Sequence, residues 1–348
     1  MKAGLHGGVI AALTAAFLFG ASTPLAKMLL AHTGPWLLAA LLYLGSGLGL
    51  WLVRGLRRTP PVSMARGDWG WLAGAIVMGG VAGPVLLLLG LSAMPASGAS
   101  LLLNAEGVLT ALLAWFAFKE NFDRRILLGM SCIVAGAVLL SVPDKVEFAG
   151  MWPALAILAA CLAWAIDNNL TRKVALSDAT FIAMVKGLAA GSTNLILALA
   201  MHADWPDGMA LTGAMLLGFA GYGASLVLFV TALRHLGAAR TGAYFSVAPF
   251  FGAGLSIVLL NEPVTLQLAV AALLMGVGVW LHMTETHEHE HAHEALEHAH
   301  EHVHNDEHHL HEHEQPVPAG TRHRHFHRHE PLWHAHAHYP DAHHRHSH

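Results

Sequence analysis

Residues 91–120 read LSAMPASGASLLLNAEGVLTALLAWFAFKE, and residues 233–262 read LRHLGAARTGAYFSVAPFFGAGLSIVLLNE. At an offset of 142 the two stretches set Ala96 on Ala238 and Glu120 on Glu262, and the register carries on to Gly136 over Gly278. Each copy runs from a short turn through small residues into an apolar helix, an acidic turn and a second apolar helix. A second register, at offset 145, sets Leu25 on Leu170 and Lys27 on Arg172. The chain therefore divides into two halves of one kind, residues 1–144 and 145–283, followed by a different material in 284–348.

Outward from that pair, apolar runs cover roughly 5–30, 36–54, 69–91, 96–118, 124–142, 150–170, 179–201, 211–233, 240–260 and 265–283. Each approaches the roughly 20 residues that cross the hydrocarbon core of a bilayer as a helix. Turn formers and charges separate them, as at Gly34-Pro35, Arg57 to Pro61, Met94-Pro95, Pro143-Asp144 and Glu262-Pro263. The connections leave no room for a soluble domain inside the body. Ten spans give five per half, and an odd number turns the second copy upside down in the membrane. Inverted repeats of this kind belong to secondary transporters, with a site near the midplane between the halves. The expected fold is an all-α integral membrane protein, ten transmembrane helices as two inverted five-helix repeats. The first run is too long for the apolar core of a signal peptide and reads as a membrane helix.

Composition agrees. Hydrophobic residues make up 55% and charged ones 12%, where soluble chains hold about 45–50% and about 25%. The body carries 15 Lys and Arg against 11 Asp and Glu, the tail 4 against 12, so neither the net charge of −4 nor a nucleic-acid reading describes either part. Cys132 and Cys161 each lie in an apolar run and read as small core residues rather than a disulfide framework. With the N-terminus in the cytoplasm, twelve Lys and Arg, from Lys2 and Arg54 to Arg234 and Arg240, fall on inside segments. The outside loops then hold only Lys145. The positive-inside rule thus predicts a multi-pass protein of a bacterial-type cytoplasmic (inner) membrane with both termini cytoplasmic. Lys27, near the outer end of the first helix, is expected to snorkel to the headgroups.

The residues Phe19-Gly20-Ala21-Ser22 with Lys27, and Trp164-Ala165-Ile166 with Arg172-Lys173, add to the paired helix ends Lys119-Glu120 and Asn261-Glu262. With these the chain resembles the drug/metabolite transporter superfamily in its EamA type, over residues 5–283 and not the tail. The resemblance implies a basket of ten helices, cytoplasmic termini and movement of a small molecule, often outward. It implies neither one substrate nor an invariant catalytic set, and it admits a homodimer.

Ionisable residues inside membrane helices are costly and face a cavity or a partner. Glu106 lies mid-helix beside Asn104. Asp167, Asn168 and Asn169 cluster in the cytoplasmic third of the sixth helix, and Lys186 lies at comparable depth in the seventh. Asp167 and Lys186 would neutralise each other. Together the six are the candidate transport route, with Glu106 a candidate carrier of a proton or cation. Interhelical hydrogen bonding is the structural alternative for the three asparagines, and a structural ion pair the alternative for Asp167 and Lys186. Gly45 with Gly49 and Gly79 with Gly83 fit close helix packing, and Pro24, Pro84 and Pro249 are expected to interrupt helices 1, 3 and 9.

The tail holds 23 of the 28 histidines. They recur mostly as His-x-His, through His287, His289, His291, His293, His298, His300, His302, His304, His308, His309, His311, His313, His323, His325, His327 and His329. Neutral imidazole suits Ni, Co, Zn or Cu, and neighbouring Glu lowers the cost of admitting a dication. No cofactor is required by the body. Ala292, Leu296, Ala299, Val303 and Leu310 suggest a helix over 285–314, with a largely disordered cytoplasmic segment beyond Pro316. His-Glu-x-x-His occurs twice, but in a tract this rich in histidine it is a chance match rather than a protease. Three functions follow. The first is secondary transport, as efflux of a divalent metal or metal-regulated movement of a solute. The second is export of a metabolite, amino acid or drug with the tail accessory. The third is a membrane-anchored metal sensor or regulator. No nucleophile–base pair in the helices points to an enzyme.

Overall fold

The computed structural model describes residues 2–59, 62, 64–65, 67–118, 124–141, 148–174, 178–236, 241 and 244–283 of the body, and 288–293, 297–303, 322–328 and 332–337 of the tail. The body, Met1–Glu285, is one compact unit and the tail another. The body is helical throughout: α1 (Lys2–Leu29), α2 (Pro35–Leu56), α3 (Asp68–Ala75), α4 (Gly83–Ala93), α5 (Ala96–Leu102), α6 (Ala105–Phe118), α7 (Arg124–Ser141), α8 (Phe148–Thr171), α9 (Ala179–Ala200), α10 (Gly208–Gly218), α11 (Ser225–Leu236), α12 (Ala248–Leu260) and α13 (Leu266–Met283).

Among the described residues these helices make ten passes. A π-helical stretch, Ile76–Ala82, joins α3 to α4, and another, Phe219–Ala224, joins α10 to α11. Each trio is therefore one pass, 26 residues for Asp68–Ala93 and 25 for Gly208–Ala232. Six described passes are long and apolar enough to cross a membrane, and 127–141, 248–260 and 266–281 are shorter apolar helices. The fourth pass is broken. A turn at Leu103-Asn104 separates α5 from α6, and Asn104 Nδ2 closes it by donating to the Leu101 carbonyl at 3.0 Å. A turn at Ser246-Val247 precedes α12 in the same way. The single helices expected over 96–118 and 240–260 are thus interrupted, and the interruptions sit at matching places in the repeat. Of the three prolines, Pro24 lies inside an unbroken α1 and does not interrupt it. Pro249 opens α12 just after the Ser246-Val247 turn, where a missing N–H needs no partner, and Pro84 directly follows the first π stretch inside the third pass, where its missing N–H leaves a helical carbonyl without its usual donor.

The packing is two-fold. α1 lies against α11 and α12, and α8 lies correspondingly against α4 and α6. α2 packs on α9, α5 on α12, and α7 on α13. Exchanging the halves leaves this pattern unchanged, which with five passes per half makes the repeat inverted. Glycine permits close crossings between these helices. A Cβ on Gly187 would stand 2.6 Å from the Gly47 nitrogen, between α9 and α2. One on Gly136 would stand 2.7 Å from Met275 Cγ, and one on its repeat counterpart Gly278 2.6 Å from the Gly129 carbonyl.

At the end that holds the N-terminus of α1, Asp178 caps α9 through Phe181 N at 3.0 Å and takes a 2.9 Å bond from Arg54 Nη1. Burial alone would push the Asp178 carboxyl up, but the Arg54 and Phe181 hydrogen bonds hold it below the usual carboxylate range.

The tail differs from the helix expected over 285–314. Four strands, β1 (Glu288–His293), β2 (Glu297–Val303), β3 (Arg322–Arg328) and β4 (Leu332–Ala337), form two antiparallel ribbons, β1 with β4 and β2 with β3. The alternation His-x-His has the period of a strand, two residues, and that period prevails over the sparse apolar residues spaced for a helix. His287, His304, His308, His309, His311, His313 and His329 lie outside the described residues.

Gly187→Ala is expected to lower the thermal midpoint in detergent, because its methyl group meets the α2 backbone and overpacking costs about 1–3 kcal/mol. Gly70→Ala, with nothing within 4 Å, should not lower it.

Candidate functional site

A cavity of about 940 Å³ opens between the two halves. Its lining runs from Phe19, Tyr43, Leu103 and Ala248 in the middle of the bundle to Thr110 in α6, Thr171 at the end of α8 and Val230 in α11. All six polar residues singled out in the sequence, Glu106, Asn104, Asp167, Asn168, Asn169 and Lys186, are on its wall.

The backbone around it is held open by side chains. In a π stretch the carbonyls spread away from their usual helical partners, and in a bilayer each must find another donor. Gly79 O accepts from Tyr43 Oη at 2.7 Å and from Trp164 Nε1 at 3.0 Å, and Gly80 O accepts from Asn194 Nδ2 at 3.0 Å. The donors come from α2, α8 and α9, so one irregular stretch ties three other passes together. The absence of side chains at Gly79 and Gly83 lets the Asp167 carboxylate and the Trp164 ring reach that backbone.

Successive residues of α8 fan around its axis and meet different neighbours. Asp167 is buried and pairs with Lys186 of α9, whose Nζ lies 2.6 Å from both carboxylate oxygens. Thr171 Oγ1 donates a third bond to Asp167 at 2.8 Å. Asn168 is exposed to the cavity and donates to Glu106 Oε1 at 2.9 Å and to Thr110 Oγ1 at 3.3 Å. Asn169 turns back to the Ala165 carbonyl at 2.8 Å and the Thr110 carbonyl at 3.3 Å. Asn104, closing the break in the fourth pass, also reaches Met275 Sδ at 3.9 Å.

Two consequences follow. The Lys186 charge is committed to Asp167, so the cavity carries one further carboxylate, Glu106, which forms no ion pair among the described residues. And the remaining wall is aromatic. Phe19 meets Tyr222 at 6.0 Å and Phe245 at 5.5 Å, Tyr43 meets Tyr222 at 5.5 Å, and Phe229 meets Phe245 at 4.9 Å. Tyr43, Trp164, Tyr222 and Phe245 were not named as site residues in the sequence, since aromatic residues in apolar runs read as core. Their depth was the available signal: Tyr and Trp in membrane helices favour the interfaces, and Tyr43 and Trp164 lie mid-pass. Among the described residues no three His, Cys, Asp or Glu side chains converge.

This architecture has known relatives. The EamA-like transporter family matches residues 6–142 and 151–284, one copy per half, and the chain belongs to it. An uncharacterized transporter of Methanothermobacter thermautotrophicus (strain ATCC 29096 / DSM 1053 / JCM 10044 / NBRC 100330 / Delta H) is 28% identical over 293 residues, covering 77% of this chain and 83% of that one. A protein of known crystal structure, 20% identical, superposes with a TM-score of 0.59 over 79% of this chain and 95% of its own, a likeness of fold. The protein is a multi-pass membrane transporter.

Removing the Lys186 charge leaves Asp167 buried and unpaired, a change that costs about 3–5 kcal/mol. Lys186→Met should therefore lower the unfolding midpoint strongly, and Asp167→Asn added to it should recover most of the loss.

Proposed function

We propose that the chain is a secondary transporter that carries a small organic solute out of the cell, with both termini in the cytoplasm and Glu106 as the residue that couples transport to protons. The observation that carries this reading is the cavity of about 940 Å³ between the inverted halves, with aromatic walls and the Glu106 carboxylate. Its size lies in the range of organic-ligand sites and far exceeds a single dehydrated metal ion. Aromatic faces and a carboxylate also suit a solute with a positively charged group. With no nucleotide-binding motif in the sequence, the driving force is an ion or solute gradient.

Proton exchange at Glu106 would make flux depend on pH. Glu106→Gln keeps the shape and removes titration. In proteoliposomes it should insert normally and lose the pH dependence of transport of a solute panel. Flux and pH profile unchanged from the parent protein would sink the assignment.

The tail supports a second reading, in which divalent nickel, cobalt, zinc or copper is either the cargo or the regulator. Its strand register pairs His289 with His336, His291 with His334, His298 with His327, and His300 with His325, so imidazole-bearing residues recur on both members of each ribbon. A tethered chelator raises the local concentration of its ion. Cells making the full chain should then export nickel, cobalt or zinc faster than cells making residues 1–283 at matched expression. Equal export and equal metal tolerance would leave the tail without a delivery role and the organic-solute reading intact.

A further inference from the structure

We propose that Lys27 and Glu262 form a two-part latch that holds shut the end of the transporter opposite the cavity mouth. Both grip one segment, Leu91–Ser97, which joins the third pass to the fourth. Lys27 Nζ donates to the carbonyls of Leu91 at 2.6 Å, Met94 at 3.0 Å and Ser92 at 3.3 Å. Glu262 accepts from Ala96 N at 2.7 Å through Oε1 and from Ser97 N at 2.8 Å through Oε2. Lys27 therefore caps the last carbonyls of α4 and Glu262 the first amides of α5. Each charge also faces the favourable end of a helix dipole. The sequence suggested a lysine reaching for headgroups; the structure spends it on backbone instead.

These are not local caps. Lys27 comes from α1, 64 to 67 residues away, and Glu262 from the turn after α12, 165 to 166 residues away in the other repeat. Asn261, in the left-handed conformation at φ 52°, ends α12 and turns the chain into Glu262. One helix of the first half and one turn of the second are thus fastened to the same seven-residue segment by charge-assisted bonds, the strong class of hydrogen bond.

Their position gives the latch its meaning. None of its residues lines the cavity. Between the two lies a filled half, where Leu38, Leu42, Leu88, Leu102 and Ile157 are each 1% exposed or less. A route through that end requires α1 and the turn after α12 to part from Leu91–Ser97, and both sets of bonds must break as they do. The pair stabilises the state with this end closed and adds nothing to solute binding. In the repeat register Lys27 falls on Arg172 and Glu262 on Glu120, so the same two charges recur in the sequence of the other half.

The idea rests on the transporter reading only for what the opening serves, because accessibility can be measured with no solute. Cys132→Ser/Cys161→Ser provides a thiol-free background, and Ala99→Cys places one thiol in the filled half, where Ala99 is fully buried. A membrane-impermeant maleimide is then applied to the full chain in vesicles of each orientation. Lys27→Gln and Glu262→Gln, tested separately so that one misfolded variant does not decide the matter, should each speed labelling from the latch side by roughly tenfold or more. Labelling from the cavity side should not rise, and Lys27→Arg should label as slowly as the parent. Unchanged labelling from the latch side in both Gln variants overturns the proposal. So does an equal rise from both sides, which is the mark of a loosened bundle rather than an opened end.

Discussion

A bilayer has no water for a backbone group that loses its helical partner, and this transporter breaks its helices in several places. Several of the breaks are tolerable because side chains meet the backbone groups they free. Tyr43, Trp164 and Asn194 serve the carbonyls of the first π stretch, Asn104 closes the gap between α5 and α6, and Lys27 and Glu262 serve the two helix ends at Leu91–Ser97. The polar residues of the helical body are few. Most are spent on backbone, and the arrangement of passes follows from where those donors and acceptors stand.

Against that symmetric frame the charges are asymmetric. In the repeat registers Asp167 corresponds to Ser22, Glu106 to Ala248 and Lys186 to Leu41. The geometry of the counterparts is kept: as Gly79 lies against Asp167, Gly221 lies against Ser22, where an added Cβ would stand 2.9 Å from the Ser22 Cβ. Helix packing needs only small residues at these crossings and can be the same in both halves. The cavity lining does not keep the symmetry of the scaffold.

The passes and the repeat were legible in the sequence because each depends on a periodic or summed property: twenty apolar residues, alternating loop charge, a fixed offset. The depth match of Asp167 and Lys186 was readable for the same reason, since counting residues along two helices gives height. Direction around the helix axis was harder. Nothing in the linear pattern told that Asn168 would face Glu106 while Asn169, one residue on, turned back to Ala165. The π stretches were hidden as well. Their glycines, Gly79-Gly80 and Gly221, read equally well as packing residues, and only the surrounding donors distinguish a widened turn from a close crossing. In the tail, the period of two in His-x-His competes with apolar residues at helical spacing, and those are too sparse to hold a helix.

The two π stretches, Ile76–Ala82 and Phe219–Ala224, fall at the same place in the 142-residue register. A widened turn amounts to an extra residue let into a helix. An insertion or deletion in either pass would shift one of its faces by about 100° against its neighbours, so the two halves keep matching faces on these passes only while both carry the same irregularity.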